Sequence, residues 1–438
     1  MVLLCGAGAR HREFRVKRIL LLATTTGYQL RSFGDAARAV GATLLLATDR
    51  CDQLDDPWSD RAIAVRFEPD AMAAAVAACS REQPDAVLAV GDRPAVLAAH
   101  VIAALGLEGN PSAAAARSRN KLQAREAFRG AALPTPDFEA VSLDDDPVLL
   151  AGRTVYPAVL KPLALSGSRG VMRVNDASEF VEAFERLRTL MMSPDVRSER
   201  DAAHDAVLIE SFIAGDEFAV EGALTRGEFQ PFAIFDKPDP LEGPFFEESI
   251  YLTPSAQPVP VQDAIVSAVA RAARALGLHH GPIHAECRVN PSGVYVLEVA
   301  ARPIGGLCAR ALRFERESAP AGLVSFEEVL LRHALGEDIR LYRRERAAAG
   351  VMMIPIPQRG VFRGVGGVED ARRVVNVDDV RITAKEDTLL VPLPEGHSYL
   401  GFIFAHGDDT TTVERGLREA HAQLRFVIER EVPLVPSG

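Results

Sequence analysis

The chain has 438 residues, 48% of them apolar, and a formal charge of −11 at pH 7. That length predicts roughly two to four domains with substantial cores, and the acidic balance excludes a general binder of nucleic acid or anionic membrane, which would repel the surface at large. Cys5, Cys51, Cys79, Cys287 and Cys308 form no C-x-x-C pair, a usage that points to reduced thiols and a cytoplasmic setting instead of a disulfide framework. No segment approaches a bilayer-spanning length. The apolar run near the N-terminus is short and has its basic residues after it, unlike a secretory leader.

In chain order, RILLLATTTGY reads as a buried strand and turn, SFGDAARAVGA as a helix and TLLLATD as a second strand. A helix over 72–79, the strand AVLAVGD and a helix over 94–104 continue the alternation. Alternating strand and helix imply a parallel sheet covered on both faces, with ligands favoured at the carboxyl ends of the strands. Those ends carry Thr24-Thr25-Thr26-Gly27, Asp49 and Gly91-Asp92. No G-x-G-x-x-G follows the first strand, so no dinucleotide site is assigned, and a scaffolding role is an equal reading.

Residues 110–138 are an Ala- and Arg-rich helical stretch containing Lys121, which taken alone is a solvated helix lysine. VYPAVLKPLALSGSRGVMRV reads as two short strands around a Gly/Ser loop. Such a loop lets backbone N–H groups form an anion nest, with Lys161 beside it as a point charge. An ordinary hairpin is the competing reading, and the Walker A pattern is absent. A helix over 177–189 precedes MMSPDVRSERDAAHDA, which reads as a mobile surface loop. AVLIESFIAGDEFAVEGAL reads as an antiparallel pair linked by residues 213–216, in which Glu210 and Glu217 are either nucleotide contacts or strand-end charges.

The proline-rich segment over 230–258 is long enough to suggest a functional loop, and a helix over 261–276 then leads into GPIHAECRVNPSGVYVLEVAARPIGG. Residues 283–289 and 294–300 are strand-like. If the loop is Pro291-Ser292-Gly293, Asn290 pairs with Val294 and Glu286 stands opposite Glu298. Opposed like charges destabilise a sheet, so a divalent cation between them is the economical resolution. Arg302, on the same face if the strand runs on, could hold phosphate beside it. A slipped register or a surface hairpin with solvated carboxylates is the alternative. Beyond residue 326, the helix FEEVLLRHALG, the strand-like GVMMIPIPQRGVF, VRITA and YLGFIFAHG, and a final helix over 413–429 suggest a separate α+β unit.

Asn120-Lys121, YPAVLKP with its glycine loop, LIESFIAGDEF, HAE and LEVAAR follow one another in that order. In this the chain, from about residue 16 to its end, resembles the ATP-grasp superfamily of carboxylate–amine ligases. The resemblance implies an α/β and α+β multidomain ATP-grasp fold: a Rossmann-like pre-ATP-grasp parallel-sheet domain over 1–110, the ATP-grasp domain over 111–330 with its lid near 135–212, and an α+β domain over 331–438 completing the ligase core. It implies that Lys121 and Lys161 contact ATP phosphates and that the loop of Ser166, Gly167, Ser168 and Gly170 closes over them. Glu210, Ser211, Phe212 and Ile213 would hold adenine, chiefly through backbone groups, Glu217 the ribose hydroxyls, Glu286 and Glu298 Mg²⁺ or Mn²⁺, and Arg302 a phosphate. Arg302, Lys161 and Glu298 are then the catalytic set. Many relatives place Asn two residues after the second Glu, where this chain has Ala300, which puts the number of metal ions in question.

GPIHAE, AARPIGG and FFEESIYLTPS are most similar to the L-amino acid ligases and their carnosine-synthase-like relatives. That likeness implies that Glu248, with Glu247 as the near alternative, recognises a substrate amino group. His284 is either a substrate contact or a packed second layer behind the metal pair. The implied partners are a small carboxylate and a small amine, with no nucleic acid or membrane, and a homodimer is compatible. The competing readings are an ATP-grasp ligase of nucleotide or natural-product biosynthesis and a nucleotide-binding scaffold without turnover.

Overall fold

A computed structural model describes residues 15–24, 29–49, 62–317 and 322–430. Thr25 to Gly27, Cys5 and Cys51 lie outside the described residues. The strands Arg18–Ala23, Thr43–Thr48 and Ala86–Val90 form a parallel sheet, with Ile63–Ala64 at its edge. The unbroken apolar run of the first strand follows from burial on both faces: Ile19 and Leu21 enter one core, Leu20 and Leu22 another. Thr24, Asp49, Gly91 and Asp92, at the carboxyl ends, line a large cavity. Gly91 takes φ +106 as the chain turns from strand into the helix Asp92–Leu105, a conformation open to glycine.

A second, four-stranded antiparallel sheet is ordered Phe138–Ser142, Ala206–Ser211, Ala158–Pro162, Met172–Val174. The helix Ala177–Met191 packs on it through Phe180, Phe184, Leu187 and Met191. The segment read as a mobile loop is instead built: it contains the helix Pro194–Arg197 and the 3-10 turn Ala202–Asp205, the latter capped by Asp201 on the Ala203 N–H. Val196 and His204 are buried, and two apolar anchors among many charges gave little periodic signal.

Asp216–Thr225 does not pair with Ala206–Ser211, against the sequence reading. It belongs to the large sheet, so the intervening residues carry the chain from one sheet to the other. Gly215 makes this crossing at φ +124, where an added Cβ would lie 2.3 Å from the Val289 carbonyl oxygen.

The large sheet has eight strands, in the order Gly293–Ala300, Gly281–Asn290, Asp216–Thr225, Glu228–Asp236, Ile250–Thr253, Ala348–Ile354, Gly401–Gly407, Val377–Ile382. The sheet thus runs unbroken through the unit boundary drawn at 330. Ile250–Thr253 and Ala348–Ile354 are buried at every position and lie side by side in the middle of the sheet. The helix Val259–Leu276 covers the first strands, and Thr410–Gln423 covers the last. That final helix ends earlier than the sequence suggested. Arg425–Glu429, rich in β-formers, leaves it to pair with Gly360–Gly366. Among the described residues no helix is long and apolar enough to cross a membrane.

Candidate active site

The hairpin Gly281–Asn290/Gly293–Ala300 does set Glu286 opposite Glu298, by a different route from the one read in the sequence. The turn is one residue tighter, with Asn290 facing Gly293. A β-bulge beyond the Cys287–Val296 pair then takes up Leu297 and returns the two glutamates to register. The bulge also reverses the alternation. Val296 and Val299 both reach the core under the helix, while Leu297 and Glu298 both line the cavity.

That cavity, of about 670 Å³, lies where the parallel-sheet ends, the four-stranded sheet and the large sheet meet. Lys121, Lys161, Ser166, Gly167, Ser168, Glu210, Ser211, Phe212, Ile213, Glu217, Glu248, His284, Glu286, Glu298 and Arg302 all line it. Gly170 and Glu247 are not among the lining residues, and the Gly170 N–H is given to the Pro394 carbonyl at 2.8 Å.

Lys121 opens the helix Lys121–Gly130, which Asn120 caps by accepting from the Gln123 N–H. Its Nζ donates to the Leu165 carbonyl at 2.6 Å and stands 3.9 Å from Glu298. Lys161 pairs with Glu210 at 2.6 Å. Glu210 is buried and is also bound by Arg125 at 2.6 Å. Burial alone would raise its carboxyl, but the Arg125 and Lys161 cations bring it down to about 2. The Glu210 side chain therefore holds Lys161 and Arg125 in place. Arg125 reaches on to the Leu297 carbonyl at 2.8 Å, tying the strand Ala206–Ser211 to the bulge.

In the segment after Glu210, the Ser211 and Phe212 N–H groups are taken by the Asp137 and Pro157 carbonyls. The Ile213 carbonyl accepts from Arg288 at 2.7 Å.

Lys237 is the largest omission of the sequence reading. Its ammonium donates to Glu217 at 2.7 Å, to Glu286 at 3.1 Å and to Glu248. One oxygen from each of these three carboxylates lies within 4.8 Å of the others. Glu248 rises to about 7, through burial and the neighbouring Glu286 charge, against the pull of Lys237. Glu217 is also bound by Arg288 at 2.8 Å. Nothing local to FDKPDP marks Lys237, since its carboxylates come from three separate strands and loops.

Arg302 does not continue the strand, which ends at Ala300. It is buried and forks onto Asp92, at 2.9 and 3.2 Å, from the end of the parallel sheet. Glu221, fully buried and also missed, bonds the His284 ring and accepts from the Ile304 N–H at 3.1 Å. Burial would lower His284, but the Glu221 and Glu286 carboxylates hold its proton and raise it to about 10. His284 Nε2 is 3.6 Å from Glu286, so the imidazole is a bridge between a buried and a cavity-facing carboxylate.

Residues 154–311 match the model of the ATP-grasp domain, and residues 352–429 match that of L-amino acid ligase C-terminal domain 2. The crystal structure of an L-amino acid ligase from Bacillus licheniformis superposes with a TM-score of 0.77 at 25% identity, over 95% of this chain and 100% of that one. A dapdiamide A synthase of Enterobacter agglomerans is 28% identical over 197 residues, 44% of each chain. An alanine–anticapsin ligase of Bacillus subtilis is 29% identical over 198 residues, 42% of this chain and 41% of that one. The chain spans about half the length of the curated relatives it matches.

Proposed function

We propose that this chain, which carries an ATP-grasp domain and an L-amino acid ligase C-terminal domain, is an ATP-dependent, ADP-forming ligase that joins two amino acids through an acyl phosphate. The observation that carries the reading is the meeting, in one cavity, of two opposed glutamates from the large sheet, Lys161 and the glycine loop from the four-stranded sheet, and Lys121 from the helix Lys121–Gly130.

A carboxylate is a poor electrophile with a poor leaving group, and its phosphorylation by ATP cures both faults. The substrate carboxylate attacks the γ-phosphorus and ADP leaves. An amine then attacks the acyl carbon, loses a proton, and expels phosphate. Catalysis of the first step is a matter of positioning and charge. Lys161, aimed by Glu210, and Lys121 present ammonium groups to the phosphates, and the glycine loop adds backbone N–H donors. Ile213, whose N–H takes no backbone bond among the described residues, is the hinge's donor toward adenine, and Glu217 faces the ribose.

Glu286 and Glu298 offer hard oxygen ligands on one face and would hold Mg²⁺ or Mn²⁺, which supplies neutralisation of phosphate charge. Arg302, fixed by Asp92, stands ready for the phosphate or acyl oxygen. The lid sheet would keep water from the acyl phosphate.

Of the two acidic candidates for the substrate ammonium, Glu248 lines the cavity and Glu247 does not. A charge-assisted bond there contributes about 1.5–3 kcal/mol. Glu248→Gln should therefore lower kcat/KM for an amino acid roughly ten- to a hundredfold while sparing its des-amino analogue. Equal losses for both would return Glu248 to a role in the Lys237 network alone.

The test of the function is ADP release over amino acids offered singly and in pairs. Pair-dependent release with dipeptide formed supports the reading. Nucleotide binding without turnover on any pair contradicts it.

A further inference from the structure

The hairpin that carries the glycine loop is gripped from two sides by segments that run straight on into the far end of the cavity. On one side the Arg173 N–H donates to the Pro244 carbonyl at 2.9 Å and its guanidinium to the Glu242 carbonyl at 2.8 Å. Met172 forms a bridge with Phe245, and three residues after Phe245 comes Glu248. On the other side the Gly170 N–H donates to the Pro394 carbonyl and Arg169 Nε to the Glu395 carbonyl, both at 2.8 Å. Four residues after Glu395 comes Tyr399, which lines the cavity with Glu248. This second strap makes a tight turn at Gly396, where an added Cβ would lie 1.8 Å from the Val391 carbonyl oxygen.

The two straps meet on one lid residue. Arg186, from the helix Ala177–Met191, donates to both carboxylate oxygens of Glu395, one of them at 2.9 Å. Its guanidinium carbon also lies 5.0 Å from the centre of the Phe245 ring. The planar guanidinium forks onto both carboxylate oxygens while its face covers the ring.

We propose that Arg186, through Glu395 and Phe245, is a positioning residue that links the placement of the glycine loop to occupancy of the cavity end bounded by Glu248 and Tyr399. The inference rests on the ligase reading and deepens it. A carboxylate substrate that orders the straps steadies the loop over the nucleotide, and by reciprocity nucleotide that orders the loop steadies the straps. Phosphoryl transfer would then be favoured when a carboxylate is present to receive it, and ATP would be spared from water when none is. Arg186 and Glu395 are 44% and 35% exposed, so their replacement should leave the lid folded.

The experiment is amide exchange of the full chain with and without the non-hydrolysable analogue AMP-PNP and magnesium chloride, in the unaltered protein, in Arg186→Ala and in the reversed pair Arg186→Glu with Glu395→Arg. The unaltered protein should gain protection at 166–170 and also, by about fivefold or more, at 244–250 and 393–399. Arg186→Ala should keep the first gain and lose the second, and the reversed pair should restore part of it. ADP formed per dipeptide should rise in Arg186→Ala. Equal strap protection in Arg186→Ala and the unaltered protein would overturn the inference while leaving the ligase reading intact. No protection at 166–170 in the unaltered protein would overturn the nucleotide reading and this inference with it.

Discussion

Glu286 and Glu298 face each other across a strand pair, and a carboxamide at either position keeps the shape while removing a ligand charge. Glu286→Gln and Glu298→Gln should each fold normally and lose most Mg²⁺-dependent ADP formation. Full activity of either at limiting Mg²⁺ would remove that glutamate from the metal site. Glu210 makes a different prediction, because its charge is used inside the fold. Its carboxyl titrates near 2 in the folded chain against about 4.3 unfolded. The depressed value contributes about 3 kcal/mol above pH 5, lost as pH falls through 4 toward 2.

Glu210→Gln leaves Arg125 and Lys161 without their counter-charge and should cost about 3–5 kcal/mol at pH 7. The gap to the unaltered protein, measured by urea unfolding, should narrow by about 1–2 kcal/mol between pH 7 and pH 3. A gap that stays constant with pH would mean that the pair contributes only packing. At this scale the sequence was legible where a side chain's placement follows from its own strand or loop, as with the opposed hairpin glutamates and the cavity-lining lysine beside the glycine loop. It was silent on Lys237, Arg125 and Glu221, whose partners lie far along the chain.

The hairpin shows how an element can be read correctly through two errors that cancel. The longer turn assumed from Pro291-Ser292-Gly293 is off by one, and the bulge at Leu297 is off by one in the opposite sense. Bulges leave little trace in composition, although the spacing of Val294, Val296 and Val299 breaks the period of two just where it falls. In the lid, the glycine-loop hairpin was legible from its flanking apolar strands, and the segment over 192–205 was not. Exchange separates the two: 194–205 should be slow without nucleotide, as expected for a segment anchored by buried Val196 and His204, whereas 163–170 should be fast until ATP and Mg²⁺ are added. Fast exchange over 194–205 would contradict the docked arrangement, and an unchanged 166–170 would contradict its phosphate role.

For the whole molecule, the alternating strands and helices before residue 110 announced a parallel sheet because such strands are apolar on both faces. The continuity of the large sheet was hidden. It depends on pairing Ile250–Thr253 with Ala348–Ile354 across the whole hairpin and the helix Phe326–Ala334, and no local pattern encodes a partner so distant. That continuity places Met353, Tyr399 and Phe402, beyond the boundary drawn at 330, in the same cavity as Lys121 and Glu286.

The proposed reaction is distinguished by one bond, between a substrate carboxylate oxygen and the γ-phosphorus. Amino acids labelled with ¹⁸O in their carboxylates, supplied as a mixture with ATP and Mg²⁺, test it directly. The expected products are ADP, dipeptide and inorganic phosphate carrying one ¹⁸O from the substrate. Unlabelled phosphate, or label recovered in AMP, would contradict it.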